Sequence, residues 1–154
     1  MKKRLFFAMG LLALNGCYAQ NPPTQTAYDR NPTMNIQIQP TNSNDSITAV
    51  LADNPTAKDF YNALPLTLTL ENYGGVEKIS RDIPKLSTQN APKSHAAQAG
   101  DLTYYAPWGN LAIFTGNFGS ASGLVYFGRI NKGLDKLTAL PDKTTVTIKK
   151  LENP

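Results

Sequence analysis

Five side chains carry the ligand chemistry this sequence offers: Tyr105, Trp108, Asn110, Tyr126 and Arg129. Two tyrosines and the chain's single tryptophan supply aromatic area at low entropic cost, each with a polar edge. Asn110 adds an amide, and Arg129 a guanidinium able to recognise an anion in a pocket. A second role is open to Arg129. Within an apolar strand it needs a partner, and either Glu71 or Asp101 can form an ion pair with it. His95, the only histidine, falls in a polar loop where solvation is expected. With one loop histidine and no catalytic cysteine, nothing nominates a nucleophile triad. No Cys or His cluster offers a metal site, and Gly116 to Gly123 lacks the lysine and spacing of a phosphate loop. No catalytic residue, metal or cofactor is therefore expected.

The elements that position these residues centre on Gly100 to Phe114. Two apolar and aromatic runs flank Pro107-Trp108-Gly109-Asn110. Proline fixes φ at the first corner of a turn, and glycine takes the positive φ of a tight reversal, so a β-hairpin is predicted with Trp108 at its tip. Alternation places Leu102, Tyr104 and Ala106 on one side and Thr103 and Tyr105 on the other. Trp108 then serves either as a stacking platform for a ligand or as a cap folded over one end of the body.

The same period of two runs through Met34 to Gln39, Leu66 to Glu71 and Thr144 to Leu151, and Ser46 to Leu51 returns as the partner in a hairpin. Val76 to Ile79 reads as a short strand. Leu124 to Ile130 is apolar enough to be buried on both faces. Asn54 followed by Pro55 signals a helix start, with Ala57, Phe60, Tyr61 and Leu64 on one face and Pro65 as the stop. Leu134, Leu137 and Leu140 mark a second short helix or turn. Arg81 to Gly100 reads as a long irregular loop, and Gly116 to Gly123 as a flexible connection. The sum is a mainly β body: a small closed eight-stranded barrel with two short helices.

Composition fits this picture. Of 154 residues 41% are hydrophobic and 17% charged, which suits one domain with a core, and 11 glycines with 11 prolines supply turns. The net charge of +4 owes three units to Lys2, Lys3 and Arg4. Without them 12 Lys+Arg face 11 Asp+Glu, a net of +1. That balance, with no arginine-rich run, argues against a nucleic-acid partner.

Those three basic residues open a segment of targeting type. An apolar run from Leu5 to Leu14 follows them, too short to span a bilayer as a helix. Leu14-Asn15-Gly16-Cys17 resembles the bacterial lipobox, in which the cysteine is lipidated and becomes the new N-terminus. The resemblance implies a signal peptide over 1–16, lipidation at Cys17 and a membrane-anchored protein of the cell envelope. Tyr18 is not the aspartate that commonly retains such proteins in the inner membrane, so an outer membrane lipoprotein facing the periplasm is expected. The alternative is cleavage after Ala19 and release as a secreted or periplasmic protein. Residues 17–33, rich in Asn, Pro, Thr and Gln, read as a flexible tether, and 34–151 as the domain. Cys17 is the only cysteine, so no intrachain disulfide forms.

Three motifs of the domain, Asp53-Asn54-Pro55-Thr56-Ala57 with Phe60 and Leu64-Pro65-Leu66, then Gly100 to Asn110, then Gly128-Arg129-Ile130, resemble the bacterial cyclophilin-like domain family. The resemblance implies an eight-stranded barrel with helices closing its ends. True cyclophilins catalyse prolyl isomerisation with an arginine among aromatic residues and a histidine. Their Phe-His-Arg and Gln-Gly-Gly-Asp-Phe motifs are absent here, and Arg129 sits in a different local pattern. The expectation is a non-catalytic module binding a small molecule or peptide. The rivals are a prolyl isomerase acting on envelope proteins and a structural docking module.

Overall fold

The computed structural model describes residues 33–151. The elements in chain order are β1 (Asn35–Pro40), β2 (Ile47–Leu51), α1 (Pro55–Ala63), β3 (Leu66–Tyr73), β4 (Glu77–Ser80), β5 (Ser94–Ala96), β6 (Asp101–Tyr105), β7 (Asn110–Phe114), β8 (Ser120–Ser122), β9 (Leu124–Lys132), α2 (Leu134–Ala139) and β10 (Thr144–Lys150). Eight strands close an antiparallel barrel in the order β1-β10-β3-β4-β7-β6-β9-β2, and β5 pairs with β8 as a separate ribbon. The signal segment and Cys17 lie outside the described residues. Among the described residues no helix is long and apolar enough to cross a membrane.

Alternation builds the interior. Ile36, Ile38, Leu68, Leu70, Val146 and Ile148 are at most 1% exposed, while the Gln, Thr and Lys residues between them face outward or are only half-buried. Register aligns the buried set: Ile38 stands opposite Ile148, and Val146 opposite Leu68. Each such side chain contributes roughly 1.5–3 kcal/mol by leaving water. Asn54 caps α1, its Oδ1 accepting from Ala57 N at 2.9 Å, with Pro55 in the first turn. The Asn54 amide also donates to Tyr126 O at 3.0 Å, which ties the cap to β9. Ala57, Phe60 and Leu64 join the barrel core, and the Phe60 ring lies 5.0 Å from that of Phe127. Leu137 of α2 is fully buried in the same core.

One part of the barrel wall is buried on both sides. In β7 every residue is buried: Leu111 and Ile113 face the interior, while Ala112 and Phe114 belong to a second cluster with Ile79, Ala97 and Leu124. That second cluster lies on the outside of the barrel, beneath the β5–β8 ribbon. The long loop expected over Arg81 to Gly100 and the flexible connection over Gly116 to Gly123 therefore each contain a three-residue strand. Runs of Ser, Ala and His that short carry no readable period. They are strands because they pair with each other over apolar wall residues.

A bulge decides the geometry of β9. Leu102 pairs with Gly128 but Thr103 pairs with Tyr126, so Phe127 is the extra residue. Such an insertion reverses which side chains face inward. Val125 and Phe127 point into the core before it, and Ile130 after it, which leaves Arg129 on the outside opposite Asp101. The expectation of burial on both faces thus holds for Leu124, Val125, Phe127 and Gly128, is met in part at the half-buried Tyr126, and fails at Arg129, which is exposed.

Candidate binding site on the outer barrel wall

The β6–β7 turn forms as its residue types dictate. Gly109 adopts φ 68°, and the N–H groups of Trp108 and Gly109 both donate to Tyr105 O, at 3.2 and 2.9 Å. The turn carries Trp108 outward. Its side chain is absent from the core, 53% exposed, and edge-on to two tyrosines: Tyr105 at 5.4 Å and Tyr73, from the end of β3, at 5.7 Å. Trp108 therefore forms a rim and does not cap the barrel core. The guanidinium of Arg81, ion-paired to Glu71 at 3.7 Å, sits 5.8 Å from the centre of the indole.

Below this rim lies a cavity of about 240 Å³. Tyr73, Tyr105 and Trp108 line one side, with Phe118 and Ala121 from the ribbon segment across from them. Ile79, Phe114 and Leu124 of the outer wall supply apolar floor, and Asn110 and Glu77 are its polar members. Phe114 and Phe118 stack at 5.6 Å. Of the four large hydrophobic side chains exposed among the described residues, three (Tyr73, Trp108 and Phe118) belong to this cavity. A concentrated aromatic surface of this kind marks an interaction site, whereas scattered single residues do not.

The two polar members are both left wanting a donor. Asn110 is 2% exposed and its Nδ2 donates to Leu111 O at 3.0 Å, but its Oδ1 accepts no hydrogen bond. A buried acceptor without a donor costs about 1–3 kcal/mol and calls for an explanation. Glu77 stands on β4 between Tyr73 and Phe114 in register, and neither neighbour carries charge. No cation or donor among the described residues meets its carboxylate. Burial raises its pKa above the ordinary 4.5. The adjacent lysine gives no relief: Lys78 is 3% exposed and donates to Asn72 Oδ1 at 2.6 Å and to Leu140 O.

Of the five residues singled out from the sequence, Tyr105, Trp108 and Asn110 come together here. Tyr126 and Arg129 do not line the cavity. They belong to a polar knot pinning the ribbon to the wall. Asp101, fully buried, is its centre: Oδ1 takes the Arg129 Nη2 at 2.5 Å, while Oδ2 meets His95 Nε2 and the Gln98 N–H, each at 2.9 Å. Arg129 also donates to Gln98 Oε1 at 3.1 Å, and the Tyr126 ring packs 5.3 Å from that of His95. Of the two partners expected for Arg129, Asp101 is the one it takes, because the β9 bulge sets the two opposite each other. His95, expected to be solvated, is half-buried and paired, since β5 is a strand laid over the wall.

Sequence reasoning missed Tyr73, Glu77, Phe114 and Phe118. Each reads locally as strand or turn residue, and only the closure of β4 against β7 and the return of the ribbon bring them together. The exposed aromatic at position 118 in a Gly- and Ser-rich run was the one available signal.

A closed eight-stranded antiparallel barrel with two helices on its core and a cavity on its outer wall defines the class: a cyclophilin-like fold. The model of the Cyclophilin-like family matches residues 41–149, and the chain belongs to that family. It is similar to the solution structure of the hypothetical protein AF2241 from Archaeoglobus fulgidus, with 21% identity and a TM-score of 0.54 over 77% of this chain and 95% of that one. That likeness is one of fold. No curated protein matches.

Proposed function

We propose that this protein is a non-catalytic binding module of the cell envelope, anchored through lipid on Cys17, that holds a small molecule or peptide side chain in the outer-wall cavity. The observation that carries the reading is the clustering of three of the four exposed large hydrophobics around a cavity of about 240 Å³. Leaving such rings in water is unfavourable for a monomer, and a ligand or partner group that covers them recovers the cost. Binding is favoured over isomerase chemistry because Arg129 is engaged by Asp101 and does not line the cavity.

Trp108 is the only tryptophan, so its fluorescence reports this cavity alone. Titration with small aromatic and aliphatic probes is expected to shift its emission saturably, and Tyr105→Ala is expected to weaken that binding at least tenfold. A flat response to every probe sinks the reading, and acceleration of a proline-peptide isomerisation at micromolar protein replaces it with the enzyme. The anchor is tested separately: a palmitate analogue should label the wild type and spare Cys17→Ala.

A further inference from the structure

The binding reading leaves the ligand's chemistry open, and the cavity's electrostatics narrow it. Resting on that reading, we infer that the cavity takes a protonated alkylamine, either a free small amine or a lysine side chain. Its aromatic members are Tyr73, Tyr105, Trp108, Phe114 and Phe118, and the quadrupole of such rings attracts cations to their faces. Trp108 already draws one cation to its ring, the Arg81 guanidinium, which is not among the cavity's lining residues. Glu77 is the one ionisable acid of the cavity, and it has no cationic partner among the described residues. Asn110 lines the cavity, and its buried amide oxygen accepts no hydrogen bond, so the partial negative charge beside the cavity is offset by no donor. No lysine, arginine or histidine lines the cavity. The cavity's one fixed charge, Glu77, and the unpaired amide oxygen beside it are both of the sign that repels an anion and attracts an ammonium. The alkyl stem of an amine would lie on Ile79 and Leu124, which are apolar and nearly buried.

The alternatives fit less well. A carboxylate or phosphate would meet Glu77, and the cation nearest the rim, Arg81, is already paired with Glu71. A purely apolar ligand would bury the Glu77 carboxylate without a partner, which is costly. An ammonium meets both demands at once.

The test uses the full chain and two matched probes, n-butylammonium and its neutral counterpart n-butanol, read by Trp108 emission and by the Trp108 indole N–H resonance. Butylammonium is expected to bind at least tenfold more tightly than butanol at pH 7. Glu77→Gln, which keeps shape and removes charge, should abolish that preference, weakening butylammonium at least tenfold while butanol binds no more weakly than before. Equal affinity for the two probes, or a preference that survives Glu77→Gln, overturns the cation assignment and leaves the cavity intact as a binding site. Failure of both probes to perturb Trp108 overturns the cavity reading itself. N-acetyl-lysine methylamide separates the sources. If it binds at least tenfold more tightly than butylammonium, the ligand is a lysine on a peptide, and parity assigns a free amine.

Discussion

At Glu77 a carboxylate is held where folding alone gives it nothing. Its pKa is raised by burial, so the folded state holds the proton more tightly than the unfolded chain does. Stability from this group is complete below the ordinary value of 4.5 and is lost as pH rises through the raised folded value. Glu77→Gln should therefore match the wild type in melting temperature at pH 3.5 and exceed it at pH 7, by about 1–2 °C for a half-exposed group. Scanning calorimetry at the two pH values checks the sign. A loss at pH 7 would mean that Glu77 has a stabilising partner. Stability given up at one residue beside an aromatic cavity is the usual mark of a site kept for binding. The tip of the hairpin was legible in sequence because Pro107 and Gly109 announce a turn by their backbone limits. Glu77 was not, since a glutamate beginning a short strand reads as an ordinary solvated end.

Among the elements, the β5–β8 ribbon matters most to the cavity, because Phe118 and Ala121 come from its segment. The ribbon is held by few bonds: its own short pairing, Phe118 N to Ala97 O, Gly123 N to Lys93 O and Ala106 N to Gly123 O, each at 2.9 Å, Ala99 N to Asn117 Oδ1 at 3.1 Å, and the knot at Asp101. Segments with so few anchors open locally at lower free energy than a barrel does. Asp101→Ala removes the acceptor shared by Arg129, His95 and Gln98 N–H, and is expected to cost about 1–3 kcal/mol. Amide exchange at Gln98 and Phe118 should accelerate at least tenfold, with Ile38 and Leu68 keeping their protection beyond the global change. Uniform acceleration across the barrel would show instead that the ribbon and barrel open together. The helix α1 was readable in full, as its cap, first-turn proline and apolar face are local signals. The ribbon strands were not, because three residues are too few for a period.

For the whole molecule, closure depends on the seam between β2 and β9. There the chains approach so closely that a Cβ added at Gly128 would stand 2.8 Å from Leu51 Cδ2 and 2.9 Å from Val50 O. Gly128→Ala is expected to destabilise by about 1–3 kcal/mol, since one neighbour is backbone and cannot turn aside. Urea unfolding should show a lower midpoint with an unchanged slope, as stability falls without loss of compactness. A fall in slope would mean that the barrel has opened at this seam in the folded state.

Local physics made part of this molecule legible in its residues. Period two in β1, β3 and β10 selected the interior face, Asn54 and Pro55 started a helix, and Pro107 to Asn110 turned a hairpin that projects Trp108. What covers the other face of the wall was settled by packing between distant segments. Alternation says which side chains share a side, and is silent on whether water, a ribbon or a ligand lies against them. The bulge at Phe127 belongs to the same class: one extra residue sends Ile130 inward and Arg129 out to Asp101. It exists through pairing between strands about 25 positions apart in the chain, which no window along β9 contains.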